Sequence, residues 1–128
     1  MYYVHTMFKA RVTATFSAAH SLRGYRGDCE RLHGHNYRVE VTVESGGLDD
    51  TGLVMDFREL KDMLGAVLDR LDHRCLNELP YFSEVNPSAE HIAAYVFDSL
   101  ENAVRPPARL AEVTVWENDT CSVTRCRP

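Results

Sequence analysis

The stretch CERLHGHNYRVEV, residues 29–41, joins a histidine-rich segment to a run of alternating apolar and polar residues. A period of two is typical of a strand with one buried face. Here the apolar positions are Tyr37, Val39, Val41 and Val43. The same alternation occurs upstream, at Phe8, Ala10, Val12, Ala14 and Phe16. The sequence therefore predicts two half-buried strands joined by a long loop at about residues 20–35, and loops of that length are often functional.

Two helices are expected after these strands. The first carries apolar residues at helical spacing between Phe57 and Leu71, with Asp56 and Glu59 resembling a capping box. Gly65 lies inside this helix and is expected at a closely packed site, since glycine otherwise weakens a helix. The second helix is predicted to begin near Pro87 or Ser88 and to end before the RPP at residues 105–107.

Two more strands are predicted at the end of the chain, Leu110 to Glu117 and Thr120 to Cys126, with Asn118-Asp119 as a tight hairpin turn. The resulting order, ββααββ, predicts an α+β fold with a four-stranded antiparallel sheet and two helices on one face. A chain of 128 residues is expected to form a single domain, residues 1–128. If the other face of the sheet is apolar, oligomerisation would cover it.

Composition narrows the function classes. A net charge of -5 provides no broad basic field for nucleic acid. No apolar run reaches the roughly 18 residues that suggest a membrane span, and the first residues lack the layout of a signal peptide. The four cysteines contain no CxxC pair. They are predicted to be reduced thiols in a cytoplasmic protein, with disulfides as the weaker alternative.

Three histidines form a candidate metal site. His33 and His35 are two apart at the entry to the second strand, so their side chains point to the same side. His20 ends the first strand, and antiparallel pairing of the two strands would bring it to the same place. Three neutral imidazoles suit zinc and leave a fourth position open. His5 and His91 have no such partners and are interpreted as structural.

Cys29 has two possible roles that spacing alone does not separate. As a fourth ligand it would close the metal site and make it structural. As a free thiol near a cation it would have a lowered pKa and act as a base or nucleophile. The size of the domain favours the reactive role slightly, because such a core does not need zinc to fold.

Six motifs in this order resemble the 6-pyruvoyl-tetrahydropterin synthase / 6-carboxytetrahydropterin synthase family. They are FSAAH (16–20), CERLHGHNY (29–37), VMDFRELK (54–61), LDH (71–73), NPSAE (86–90) and WEN (116–118). The resemblance covers nearly the whole chain. It implies the tunnelling fold, in which the sheets of three subunits join into a barrel, usually stacked as hexamers, with active sites between subunits.

The resemblance also implies roles for individual residues. His20, His33 and His35 match the zinc ligands, and Cys29 matches the catalytic cysteine. Asp72 and His73 match an acid/base pair that a neighbouring subunit supplies. Glu117 matches the carboxylate that anchors the pterin ring. Ser88, in place of a common threonine, and Glu90 are candidate substrate contacts, although Glu90 could equally favour the dipole of its helix.

The gap between Cys29 and His33 separates two branches of the family. The C-x3-HGH spacing resembles the carboxytetrahydropterin branch, which implies conversion of 7,8-dihydroneopterin triphosphate to 6-carboxy-5,6,7,8-tetrahydropterin, acetaldehyde and triphosphate in queuosine and 7-deazaguanine synthesis. Candidate triphosphate contacts are Arg23, Arg26, Arg31 and Arg74. Asn118, where the family often has threonine, departs from the pattern at the edge of the pterin pocket.

Three alternatives stay open. The first is a 6-pyruvoyl-tetrahydropterin synthase, which eliminates triphosphate on the same scaffold. The second is a non-catalytic zinc-binding module with Cys29 as the fourth ligand. The third and weaker one is a zinc hydrolase, which needs a carboxylate base beside the metal. Glu30 is the only carboxylate in residues 29–37.

Overall fold

The computed structural model describes residues 7–24, 27 and 30–128. It contains five strands and two α-helices. They are β1 (Phe8–His20), β2 (His33–Ser45), α1 (Phe57–Leu68), β3 (Arg74–Cys75), α2 (Ala89–Leu100), β4 (Arg109–Trp116) and β5 (Ser122–Cys126). Two single turns of 3-10 helix, Leu76–Glu78 and Pro80–Phe82, lie between β3 and α2. The α+β class and the two helices are as the sequence predicts.

The sheet has five strands in the order β3-β1-β2-β4-β5, so the prediction of four strands is wrong. The additional strand is β3, which pairs parallel to the end of β1 through Arg74 with Ala18 and Cys75 with Ala19. A two-residue strand carries no hydrophobic period, and only tertiary pairing creates it. The other four strands pair antiparallel, as predicted.

The alternation of β1 and β2 places their apolar side chains under the helices. Val12, Phe16, Tyr37 and Val39 are at most 4% exposed and belong to one core cluster with the buried residues of both helices. The alternate residues of these strands lie on the opposite, helix-free face. That face is polar, and Arg11 forms an ion pair there with Glu40 at 3.4 Å. The sheet therefore does not need an apolar cover on this side.

Helix α1 begins as predicted but lacks the expected capping bond. The carboxylate of Asp56 accepts a hydrogen bond from the backbone N–H of Arg58 at 2.8 Å, rather than from that of Glu59. The expectation of close packing at Gly65 is wrong, because a methyl group added there would meet nothing within 4 Å. Helix α2 starts where expected, with Ser88 as its N-cap.

The connection between β4 and β5 is longer than the predicted two-residue turn. Strand β5 begins at Ser122, so residues 117–121 form the loop. The Asn118 side chain accepts hydrogen bonds from the backbone N–H groups of Thr120 and Cys121, both at 2.9 Å. Such bonds between a side chain and nearby backbone compete with strand pairing, so β5 begins at Ser122 rather than at Thr120.

Two other expectations concern the whole chain. Within the described residues, no helix combines the length and apolarity that a membrane crossing requires. Cys75, Cys121 and Cys126 are free thiols. Cys29 lies outside the described residues, so its predicted state stays a prediction.

Candidate metal centre and active site

The pairing of β1 with β2 brings the three candidate histidines together. The register places His20 directly opposite His33, and His35 follows on the same face of β2. Their ligand nitrogens all lie within 4.8 Å of one another. The predicted convergence of a strand end on an HxH strand entry is therefore confirmed.

Hydrogen bonds to backbone carbonyls fix the protons of two of these rings. Nδ1 of His20 lies 2.6 Å from the carbonyl oxygen of Pro87, and Nδ1 of His33 lies 2.7 Å from that of Arg31. A carbonyl oxygen only accepts, so each Nδ1 carries the proton and each Nε2 presents a lone pair. Metal-ligating histidines typically donate their other ring N–H to a carbonyl or carboxylate in this way.

The two lone pairs face one another at close range. Nε2 of His20 lies 3.0 Å from Nε2 of His33. Two acceptor atoms at this distance repel unless a cation lies between them. Burial lowers the pKa of His20, which is 1% exposed, so protonation of its ring is disfavoured. Burial also lowers the pKa of His35. The arrangement fits a bound metal ion, because metal ligation requires neutral imidazoles.

Tyr37 packs against the triad and contacts His20. Its hydroxyl lies 3.2 Å from Nδ1 of His20, and its ring stacks on Phe16 with the centroids 4.7 Å apart. Burial raises the pKa of Tyr37, so the side chain stays a neutral phenol. Tyr37 therefore supports His20 through packing and a hydroxyl rather than through charge.

Glu117 lies beside the triad. Its Oε1 is 3.6 Å from Nε2 of His20 and 3.8 Å from Nε2 of His35. The loop that follows holds it there, because the backbone N–H of Glu117 donates to the carbonyl of Cys121 at 3.2 Å. The structure thus adds a carboxylate to the rim of the metal site, which the spacing of the sequence did not reveal.

Asp72 and His73 are in contact at the turn between α1 and β3. Nδ1 of His73 lies 2.9 Å from Oδ2 of Asp72, and Oδ1 of Asp72 accepts the backbone N–H of Ser17 at 2.8 Å. Hydrogen bonds from the Ser17 backbone and from His73 lower the pKa of Asp72. His73 has a positive φ of 59° and its side chain is 81% exposed. The pair therefore presents a carboxylate-oriented imidazole outward.

An open depression of about 520 Å³ lies between the end of β1, the start of β2 and β3. His35 and His73 both line it, together with Ser17, Asn36 and Cys75. The hydroxyl of Ser17 donates to Oδ1 of Asn36 at 2.6 Å, which leaves the amide N–H groups of Asn36 for other acceptors. The depression thus borders one residue of the triad, His35, and one residue of the pair, His73.

The remaining candidates have mixed outcomes. Ser88 caps α2 by accepting the backbone N–H of His91 at 3.2 Å, and Glu90 is exposed in the first turn of that helix. Arg23 donates to the carbonyls of Phe82 and Val85, at 2.5 and 2.8 Å, so its guanidinium is used within the chain rather than held free for phosphate. Cys29 and Arg26 lie outside the described residues.

Several supporting residues had no signal in the sequence. Asn77 and Asn86 bind the backbone that follows His20, and the carbonyl of Pro87 binds the His20 ring. Backbone acceptors and lone asparagines form no spacing pattern. His91 is structural, as predicted, because its Nδ1 bonds to the carbonyl of Asn86 at 2.7 Å.

The chain belongs to the 6-pyruvoyl tetrahydropterin synthase family, whose sequence model matches residues 9–127. This result confirms the resemblance inferred from the six motifs.

Individual relatives carry at least three different names, and one of them, from Pyrococcus furiosus, is named dihydroneopterin monophosphate aldolase. A Synechocystis protein named 6-carboxy-5,6,7,8-tetrahydropterin synthase is 40% identical over 113 residues, covering 84% of this chain and 83% of that protein. Human 6-pyruvoyl tetrahydrobiopterin synthase is 39% identical over 120 residues, covering 82% of this chain and 81% of that protein. The structure of Caenorhabditis elegans 6-pyruvoyl tetrahydropterin synthase superposes with a TM-score of 0.85 at 30% identity, covering 96% and 97% of the two chains.

Proposed function

We propose that this chain is a zinc-dependent carbon–carbon lyase of the pterin synthase family, with one domain over residues 1–128. Its proposed reaction converts 7,8-dihydroneopterin triphosphate and water to 6-carboxy-5,6,7,8-tetrahydropterin, acetaldehyde and triphosphate, in cytoplasmic queuosine and 7-deazaguanine synthesis. The single observation that carries the proposal is the convergence of three imidazole nitrogens where the end of β1 pairs with the start of β2.

Zinc is the proposed metal. In a tetrahedral site, Zn–N bonds of about 2.0–2.1 Å place the ligand nitrogens about 3.3–3.4 Å apart. The separation of 3.0 Å between Nε2 of His20 and Nε2 of His33 is close to that value. Zinc held by three histidines keeps an open position and supplies Lewis acidity to the substrate hydroxyl groups that reach it.

Proton transfer along the substrate side chain is assigned to Cys29 and His73. Asp72 accepts from Nδ1 of His73, so Nε2 of that ring faces outward to exchange a proton with substrate. Cys29 lies four residues before His33, and its proposed role as a thiolate base comes from the family pattern.

Recognition of the pterin ring is assigned to Glu117, Glu90 and Ser88. A pterin offers an exocyclic amine beside a ring N–H, and a carboxylate matches this donor pair bidentately. Glu117 lies against the histidines, whereas Glu90 lies in the first turn of α2. The cation contacts for the triphosphate are assigned to Arg31 and Arg74, which are both exposed.

The proposed active site lies between subunits of a homo-oligomer, a trimer or a dimer of trimers. Two features support this assembly. The imidazole of His73 is 81% exposed. The outer edge of β1 is paired by β3 at Ala18 and Ala19 only, within the described residues, and β5 is the other edge strand. Joining such edges in a barrel would remove unpaired backbone groups.

A 6-pyruvoyl-tetrahydropterin synthase remains the second candidate, because the human relative of that name is almost as similar as the Synechocystis protein. The Cys29-x3-His33 spacing favours the carboxytetrahydropterin reaction. A non-catalytic zinc module would require Cys29 to bind the ion permanently, and a hydrolase is the weakest candidate.

Product analysis tests the proposal. The zinc-loaded protein is incubated with 7,8-dihydroneopterin triphosphate, and the pterin and any aldehyde are identified by mass spectrometry. We expect 6-carboxy-5,6,7,8-tetrahydropterin with an equimolar amount of acetaldehyde. A 6-pyruvoyl product without acetaldehyde would instead assign the chain to the other branch.

Cys29→Ala separates an enzyme from a zinc module. An enzyme would keep zinc and its thermal stability but lose turnover. A structural site would lose both zinc and stability, because the fourth ligand would be gone. Cys121→Ala, which removes an exposed thiol in the β4–β5 loop, is the matched control and should change neither property.

A further inference from the structure

Residues 86–88 form a bracket beside the metal site, in which each residue has a different contact. The Asn86 side chain binds the backbone of Arg23, the Pro87 carbonyl accepts Nδ1–H of His20, and the Ser88 hydroxyl caps α2. The bond from His20 is short, at 2.6 Å, and buried. The segment that begins α2 is therefore the segment that orients a metal ligand.

The bracket is fixed on both sides of the proline. Oδ1 of Asn86 accepts the N–H of Arg23 at 2.8 Å, and Nδ2 donates to the Arg23 carbonyl at 3.0 Å. The Asn86 carbonyl accepts Nδ1–H of His91 at 2.7 Å. Proline restricts its own φ and the conformation of the residue before it. With Asn86 and Ser88 both held, the Pro87 carbonyl has little freedom to turn away from His20.

These contacts close a ring of interactions around His20. The chain leaves His20, reaches Arg23 three residues later, crosses to Asn86 through two hydrogen bonds, and returns through Pro87 to the His20 ring. Metal ligands held by such outer contacts bind their ion more tightly, because the ring orientation and the proton on Nδ1 are set in advance.

We propose that Asn86 is a positioning residue for the metal site. Its two hydrogen bonds with the Arg23 backbone hold the Pro87 carbonyl against Nδ1 of His20. The His20 ring is thereby kept in the orientation in which Nε2 faces the ion. This inference rests on the proposed metal site but not on the identity of the product. It predicts that loss of the Asn86 side chain weakens metal binding although Asn86 contacts no ligand nitrogen itself.

The chain contains a matched control in Asn77. Its Oδ1 accepts the N–H of Ser21 at 2.9 Å, and its Nδ2 donates to the Ser21 carbonyl at 2.9 Å. Asn77 thus makes the same pair of bonds to the same segment after β1. Unlike Asn86, it does not precede a residue that hydrogen-bonds to the His20 ring, so its removal leaves the Pro87 carbonyl in place.

The experiment compares Asn86→Ala, Asn86→Asp and Asn77→Ala with the wild type. Zinc affinity is measured by competition with a chromophoric chelator, and the geometry of the site by the visible absorption of the cobalt-substituted protein. Thermal unfolding of the metal-free proteins measures the purely structural loss. Asn86→Asp keeps an acceptor for the Arg23 N–H and carries the test if Asn86→Ala does not fold.

We expect Asn86→Ala to weaken zinc binding about 10- to 100-fold, the range typical of lost outer-shell partners, and to shift the cobalt spectrum. Asn86→Asp should lose affinity in the same direction by a smaller factor. Asn77→Ala should stay within about threefold of the wild type and keep its spectrum, even where its metal-free melting temperature falls as much. Equal losses of affinity in the two alanine variants, or none in either, would overturn the inference.

Other outcomes separate this inference from the proposed function. If the wild type binds no zinc or cobalt, the metal site fails and the inference fails with it. If the affinities follow the expected order but the protein forms no carboxylated pterin, the proposed reaction is wrong while the role of Asn86 stands.

Discussion

The histidine triad and the Asp72–His73 pair lie at the same end of the sheet but are built in opposite ways. The triad is placed by paired strands, and its central ring is 1% exposed with both nitrogens in contact with other groups. The pair is placed by a turn, with His73 in a left-handed conformation and its ring 81% exposed. One half of the site is enclosed by its own chain, whereas the other half faces outward.

This difference matches the different roles proposed for the two groups, metal binding for the triad and substrate contact for the pair. Ligands on paired strands cannot move far without breaking the sheet, which suits a metal ion that needs fixed geometry. An exposed imidazole on a turn suits a group that meets substrate or another subunit. The carboxylate of Asp72 orients that imidazole, and the backbone of Ser17 holds the carboxylate to β1.

The largest expected effect comes from removing a triad ring. In His35→Ala, we expect zinc to be lost to a chelator and turnover to fall by more than about 100-fold, beyond the usual cost of an outer-shell change. Zinc content by elemental analysis and product formation measure the two losses. Added zinc should restore a chelator-stripped wild type but not the variant.

His73→Ala is the control for zinc content in that experiment, because His73 lies outside the triad and its ring bonds to Asp72. It should keep one zinc per chain. Retention of full zinc and full activity by His35→Ala would contradict the assignment of the triad as the metal site.

The second prediction tests whether the two halves come from different chains. His73→Ala should keep its zinc and lose about 100-fold or more in turnover, the usual contribution of a positioned acid or base. The two variants His73→Ala and His35→Ala are then unfolded together, refolded and loaded with zinc. Sites that combine the intact triad of a His73→Ala chain with the intact Asp72–His73 pair of a His35→Ala chain should be active. Random mixing predicts recovery of about a quarter of the wild-type activity in a symmetric ring of sites between subunits.

Each variant refolded alone is the control and should stay inactive. If the mixture is no more active than the two controls, both halves belong to one chain, and the proposal of sites between subunits is wrong.

The sequence predicted those parts of the fold that depend on periodicity. The alternation in β1 and β2 and the helical spacing of α1 reflect burial of one face, so they are visible without the structure. The two-residue strand β3 and the loop at residues 117–121 depend on tertiary pairing and on the Asn118 side chain. Neither produces a period, and both were missed.

The same reasoning applies to the site. His20, His33 and His35 were predictable because antiparallel pairing converts a strand end and an HxH entry into one cluster. The contact of Asp72 with His73 was not, since neighbouring residues need not touch. The position of Glu117 against the triad depends on how far β4 extends beside β2, which the sequence does not state.

A smaller effect is expected when the hydroxyl of Tyr37, which contacts His20, is removed. Tyr37→Phe removes a buried hydroxyl 3.2 Å from Nδ1 of His20. We expect the free energy of unfolding to fall by about 1 kcal/mol, the typical net value of one hydrogen bond, as measured by urea denaturation. Zinc affinity should change less than threefold or so, because the Pro87 carbonyl still accepts the Nδ1 proton. A larger loss of affinity would show that the hydroxyl, rather than the carbonyl, sets the orientation of His20.

The smallest effect is expected in the exposed half, from the charge of Asp72. Its pKa is lowered from 3.8 by the hydrogen bond from the Ser17 backbone and by His73, so the folded state favours the ionised carboxylate. The stabilisation is therefore fully present above pH 3.8 and is lost as the pH falls through the lower folded-state value. Asp72→Asn keeps an oxygen for the Ser17 N–H but has no charge to titrate. The difference in the free energy of unfolding between wild type and variant should shrink as the pH falls below 3.8. A difference that instead grows below pH 3.8 would mean that the carboxylate is destabilised in the folded chain, and that His73 does not orient toward it.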